Sequence, residues 1–125
     1  MELIKQSATR LTELLQKKEI SSKELTNAYF KRIEDIDPKI NAYLALCKED
    51  AIKKAEEIDN LRVKGEELSP LAGLPVAIKD NICTNGVTTT CGSKMLENFI
   101  PPYDATVVKK IKEQEPNRNL SNRYD

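Results

Sequence analysis

The chain contains no histidine. That absence excludes a Ser-His-Asp or Cys-His catalytic arrangement completed within these residues, and any zinc site with an imidazole ligand. A general base here must be a carboxylate, a lysine, a tyrosine or a cysteine. Tryptophan is also absent and aromatics are only 5% of the residues, so any core is mainly aliphatic. Three cysteines, Cys47, Cys83 and Cys91, form no C-x-x-C pair and are odd in number. Neither a disulfide framework nor a zinc knuckle is indicated, and they read as small, semi-buried thiols rather than redox or nucleophilic groups. There is no excess of either charge, with 20 basic and 20 acidic residues. That balance argues against a nucleic-acid or anionic-membrane binder driven by bulk charge and leaves a local basic patch open. No apolar run approaches the ~20 residues that span a bilayer. The opening "MELIKQSATRLTELLQKKEI" lacks the continuous apolar core of a secretory signal. A small cytoplasmic domain is expected, with no P-loop, no basic stripe, no metal site and no cofactor site of its own.

What is present begins with two amphipathic segments. From about Thr9 to Lys18, the residues Leu11, Leu14 and Leu15 share one helical face. "ISSKEL" then supplies a capping box, Ser21 as N-cap and Glu24 three residues later. The helix that it opens carries Leu25, Ala28, Tyr29, Ile33 and Ile36, and Asp37-Pro38 predicts its end. Together they form a helical hairpin with a short charged turn. Ile40 to Cys47 reads as a strand or an extended entry into a third helix. That helix, about Glu49 to Lys64, has Ala51, Ala55, Ile58 and Leu61 as its apolar stripe and Gly65 as its cap.

Leu74 to Ile78 reads as a short buried strand. It ends in Lys79, and the chain then turns polar through Asp80 and Asn81. Lys79 is either a solvated strand terminus or a base. The segment Asp80 to Met95 is rich in Thr, Asn, Gly and Ser, a long irregular stretch of the kind that carries function or is disordered. Pro101-Pro102 leads to Asp104, a candidate N-cap for a helix over "ATVVKKIKEQ". The last stretch, "EPNRNLSNRYD", has a single aliphatic residue, Leu120, and looks like neither a strand nor an amphipathic helix. A strand as apolar as Leu74–Ile78 expects neighbours on both edges, and only Ile40–Cys47 is on offer. The fold class expected is α/β, incomplete, with further strands missing.

The run "PLAGLPVAIKDNICTNGVTTTCGSKMLENFIPPYDATVVKKIKEQ" strongly resembles the amidase signature family. Upstream, "EISSKELTNAYFKRIEDIDPKINAYLAL" resembles the N-terminal helical region of the same family. Other branches, such as acylamidases, share the shorter G-x-P-x-x-x-K-D-N core. The longer wording favours the branch that forms the A subunit of bacterial glutamyl-tRNA(Gln)/aspartyl-tRNA(Asn) amidotransferases. The resemblance covers about Leu3 to Gln114, so residues 1–114 are expected to be the N-terminal portion of an amidase signature domain, a helical hairpin plus the first strands of a mixed sheet covered by helices.

The resemblance implies a Ser-Ser-Lys amidohydrolase site with Lys79 as catalytic lysine. In family terms a bridging serine relays a proton from the nucleophilic serine to this lysine, which acts as base only when neutral. Withdrawal from water at an apolar strand end is expected to favour that neutral form, since burial penalises a charged amine. Asp80 and Asn81 are expected to form the turn and position the lysine. Thr88, Thr89, Thr90 and Ser93 are expected to hydrogen-bond within the loop, and Asp104 to cap a helix rather than to touch substrate. The implied reaction is hydrolysis of glutamine to glutamate and ammonia. The implied partners are the B and C subunits, which would handle ATP, magnesium and tRNA.

After Gln114 the likeness stops. The family continues with Gly-Ala and an apolar strand, and its two serines and oxyanion segment come later. Residues 115–125 are expected to be an aberrant, disordered tail of a truncated or frame-shifted product, and Ser121 has no matching context for a nucleophile. The isolated chain is expected to be inactive, with an exposed strand edge that favours oligomerisation or aggregation. A stand-alone amidase and a non-catalytic interaction module are the alternatives.

Overall fold

The structure is a computed structural model, and it describes residues 2–114 together with the backbone of Asn117–Ser121. After a short 3-10 turn at Leu3–Lys5 come α1 (Ala8–Gln16), α2 (Ser22–Ile40) and α3 (Lys48–Val63). Strand β1 (Pro75–Ile78) follows, then a long connection with a 3-10 turn at Lys94–Leu96, helix α4 (Thr106–Glu113) and strand β2 (Asn117–Ser121).

The helical hairpin forms as its pattern predicts. Ser7 accepts from the Arg10 N–H and starts α1. Leu11, Leu14 and Leu15 are buried against Leu25 of α2 and against Leu74, the residue that leads into β1. At the start of α2 both halves of the capping box are made: Ser21 Oγ accepts from Glu24 N, and Glu24 accepts from Ser21 N, each at 3.0 Å. Phe30 and Ile33 face Ala51 of α3 in a second apolar cluster. Small residues on α3, Ala51 and Ala55, let its backbone approach α2 closely.

Two expectations need correction, and one choice left open is settled. Asp37-Pro38 does not stop α2, which runs on to Ile40. A proline this near a helix end removes one bond, to the carbonyl of an exposed Glu34 that water can satisfy. The stop comes from Asn41 in the left-handed conformation at φ +58°, with Asp37 Oδ1 accepting from Ala42 N at 2.7 Å. Ile40–Cys47 supplies no strand: Ile40 closes α2 and the residues after it are irregular up to α3. The strand beside β1 is instead Asn117–Ser121, which pairs with it in parallel, with Pro75 opposite Asn117 and Ile78 opposite Ser121. Unmet backbone donors and acceptors on β1 outweigh the poor strand propensity of that stretch. The rest of the expected tail, residues 115–116 and 122–125, lies outside the described residues.

Parallel strands need a crossover, and α4 provides it. The result is a single β-α-β unit laid against the hairpin and α3, an α/β arrangement as expected. β1 is less buried than its composition suggests. Leu74 and Ile78 are buried, Pro75 and Val76 are half-buried, and Ala77 is exposed. β2 covers one edge of β1, and among the described residues no strand covers the other.

Candidate functional site around Lys79

Lys79 is the first residue past β1. Side chains alternate across a strand, so it shares a face with Ala77, and both are exposed. The withdrawal from water expected for this amine is therefore not present in the described residues. Covering it takes groups on the open face of β1, and neither α4 nor the loop supplies them. Beside the lysine stem is an apolar cavity of about 270 Å³, walled by Ile78, Ile82, Val107, Val108 and Ile111.

The turn after Lys79 is firmly tied. Ile82 N donates to Lys79 O at 3.0 Å. Asp80 is only 5% exposed. Its carboxylate accepts from Thr90 N at 2.8 Å, from Thr90 Oγ1, and more weakly from Gly92 N at 3.4 Å. Its carbonyl accepts from Cys91 N at 3.0 Å. A buried carboxylate held by hydrogen bonds avoids most of the penalty of leaving water.

The long connection is irregular but internally bonded. Gly86 N donates to Pro101 O at 3.1 Å and Thr89 N to Phe99 O at 3.0 Å, so the segment doubles back on itself. Ala105 N then donates to Cys83 O at 2.8 Å. The loop hydroxyls bond within the loop, as expected for three of the four: Thr89 Oγ1 donates to Val87 O, Thr90 Oγ1 to Asp80, and Ser93 Oγ accepts from Met95 N. Asp104 is not the cap of α4. Ala105 holds that position without a side-chain bond, and Asp104 accepts instead from Asn85 N at 2.8 Å and from the Lys112 ammonium. The fork of Asp104 fastens the loop to α4 from both sides.

None of the three cysteines is in a disulfide. Cys83 and Cys47 are half-buried and Cys91 is exposed. The Tyr103 phenol donates to Cys83 Sγ at 3.3 Å, and that bond, with the charges of Cys83 and Cys91, raises the phenol above its ordinary pKa. No cluster of three or more His, Cys, Asp or Glu that could hold a metal occurs among the described residues. No described helix is long and apolar enough to cross a membrane.

A second junction, unforeseen in the sequence, ties the residues that lead into β1 to α2 and α3. Asp59 of α3 accepts from the N–H groups of Ser22 (2.7 Å) and Lys23 (3.0 Å) at the start of α2. Ser22 Oγ donates to Gly73 O at 2.7 Å, and Arg62 Nη2 donates to Ala72 O at 3.0 Å. Partners 10 to 51 residues apart leave no local signal to read.

The family model described as Amidase matches residues 24–116. The A subunit of a glutamyl-tRNA(Gln) amidotransferase from Carboxydothermus hydrogenoformans is 55% identical over 113 residues, 90% of this chain and 23% of that protein. Its counterpart from Moorella thermoacetica is 52% identical over the same length, again 90% of this chain and 23% of that protein. Among solved structures, an amidase family protein from Bacillus anthracis superposes with a TM-score of 0.86 at 28% identity, over 97% of this chain and 24% of that one. A peptide amidase from Stenotrophomonas maltophilia gives 0.81 at 31% identity, over 95% and 24%. The chain spans about a quarter of the length of these relatives. Matched over residues 24–116, from the first turn of α2 through α4, the chain belongs to the amidase family.

Proposed function

We propose that this chain carries the general-base lysine of an amide-hydrolysing site, and that the protein it represents is the glutaminase component of a tRNA-dependent amidotransferase. The observation that carries the reading is Lys79 at the exit of β1, on a turn pinned by a buried Asp80, within a segment 45–56% identical to proteins named as A subunits. The chemistry would run through a Ser-Ser-Lys relay. A neutral Lys79 takes a proton through one serine hydroxyl from a second, which attacks the glutamine amide and releases ammonia. Both serines and the oxyanion donors lie beyond the likeness described, and the groups that cover Lys79 would come with them. B and C subunits would use the ammonia, with ATP and magnesium, to amidate Glu-tRNA(Gln) or Asp-tRNA(Asn). The cytoplasm is the compartment where that reaction belongs.

Alone, the 125-residue polypeptide is expected to release no ammonia from glutamine. Its amine is in water, and Thr89, Thr90 and Ser93 spend their hydroxyls on the loop. The test is a chimera in which the matched segment replaces its counterpart in the Carboxydothermus protein, assembled with that enzyme's other subunits. Glutamine hydrolysis is expected with Lys79 and lost, by at least about a thousandfold, with Lys79→Met. Equal turnover by the two chimeras would sink the proposal. The likeness to peptide amidase favours, more weakly at 31% identity, a stand-alone amidase. Hydrolysis of simple amides without the other subunits would select that reading. Co-purification with the B and C subunits without any hydrolysis would select a non-catalytic interaction module.

A further inference from the structure

Resting on Lys79 as base, we infer that Thr90 is a positioning residue for that lysine, acting through the buried carboxylate of Asp80. Thr90 is 2% exposed and ten residues away in sequence. It gives Asp80 two bonds at once, from its backbone N–H and from its hydroxyl. The same hydroxyl accepts from Gly92 N at 3.3 Å, and Gly92 N also leans on the carboxylate. Cys91 N closes onto the Asp80 carbonyl. Asp80 is thus gripped on side chain and main chain by three consecutive residues. The planar peptide bond joins it directly to Lys79, whose own carbonyl is taken by Ile82 N. The Cα–Cβ direction of Lys79 is set by this clasp, while the rest of its long side chain is free to reach a reacting group. Misplacing a reacting group by about 1 Å can cost on the order of a hundredfold in rate. A loose clasp therefore acts on turnover and leaves the binding of substrate, made elsewhere, alone.

Thr90→Val removes the hydroxyl and keeps the shape. In the chimera, measured well below its melting temperature, Thr90→Val is expected to lower kcat about tenfold or more with KM changed less than about twofold. Thr90→Ser, which restores the hydroxyl, is expected to recover kcat to within about threefold of the parent. Should Thr90→Val fail to fold, Asp80→Asn, which keeps one acceptor oxygen, carries the same expectation. A folded Thr90→Val or Asp80→Asn chimera with the parent's kcat, alongside an inactive Lys79→Met, overturns the clasp and leaves the base reading standing. An active Lys79→Met chimera overturns the base reading itself. A fall in kcat with an equal rise in KM, or no recovery with Ser, shows general loosening and also overturns the clasp.

Discussion

Gly73 sits at φ +90°, where an L side chain is strained. A Cβ there would meet Ser22 Cβ and Oγ at 3.1 Å and Ile58 at 3.3 Å. Neither neighbour can give way easily, since Ser22 is wholly buried and bonded to the Gly73 carbonyl and Ile58 is wholly buried too. Gly73→Ala is expected to destabilise the chain by about 1–3 kcal/mol, seen as a lower midpoint in urea with an unchanged slope. Tyr29 gives a pH prediction. Partial burial raises its phenol above the ordinary 10.0 because ionisation must occur away from water. A raised folded-state value means that the stability is complete below pH 10 and is lost as pH rises through the folded value. Urea midpoints are expected to fall more steeply above pH 10 in the parent than in Tyr29→Phe, and parallel curves would contradict it. Lys79 itself shows how far a sequence reaches at this scale. Its place at a strand exit is legible from the apolar run before it. Its exposure is not, because burial depends on what packs over the strand and not on the strand's own residues.

Helix starts are the most readable elements. The Ser21–Glu24 box lies within four residues, so the pattern contains its whole cause. The same helix end has a second cap, Asp59, which sits 36 and 37 residues away from its donors and announces nothing locally. Two N–H groups and the positive end of α2 face that one carboxylate. Asp59→Ala is expected to cost about 1–3 kcal/mol and Asp59→Asn distinctly less, since the amide oxygen can still accept one bond. Equal losses in thermal melts would show that the charge, not the hydrogen bonds, matters. The end of α2 departs from its sequence pattern for a related reason. Proline weights the expectation towards a stop, but the cost of its missing N–H is small where the orphaned carbonyl is solvated. No strand forms over Ile40–Cys47 because a few alternating apolar residues fit an extended linker as well as a ladder.

Across the whole molecule, the β-α-β unit has a sheet of two strands, and a sheet this small is marginal by itself. Exposed apolar side chains lie in and just after the loop's 3-10 turn: Met95, Phe99, Ile100 and Tyr103. Val107 and Leu71 are also open, beside an apolar hollow walled by Leu74, Val76 and Ile111. The purified chain is expected to self-associate, with light scattering that rises with protein concentration and falls on adding low urea before the helices melt. A monodisperse monomer at high concentration would contradict this. The α/β class is legible because helical and strand periodicities occur in order along the chain. The pairing is not, since the segment that pairs with β1 is polar and carries no strand pattern of its own.

The bond from Ala105 N to Cys83 O has a mechanical consequence. It joins the N-cap of α4 to the chain only four positions beyond Lys79, while Asp104 grips both Asn85 and Lys112. The helix and the lysine's turn therefore move as one strut. Any body that leans on the outer face of α4 is thereby linked to the stretch of backbone that carries the lysine.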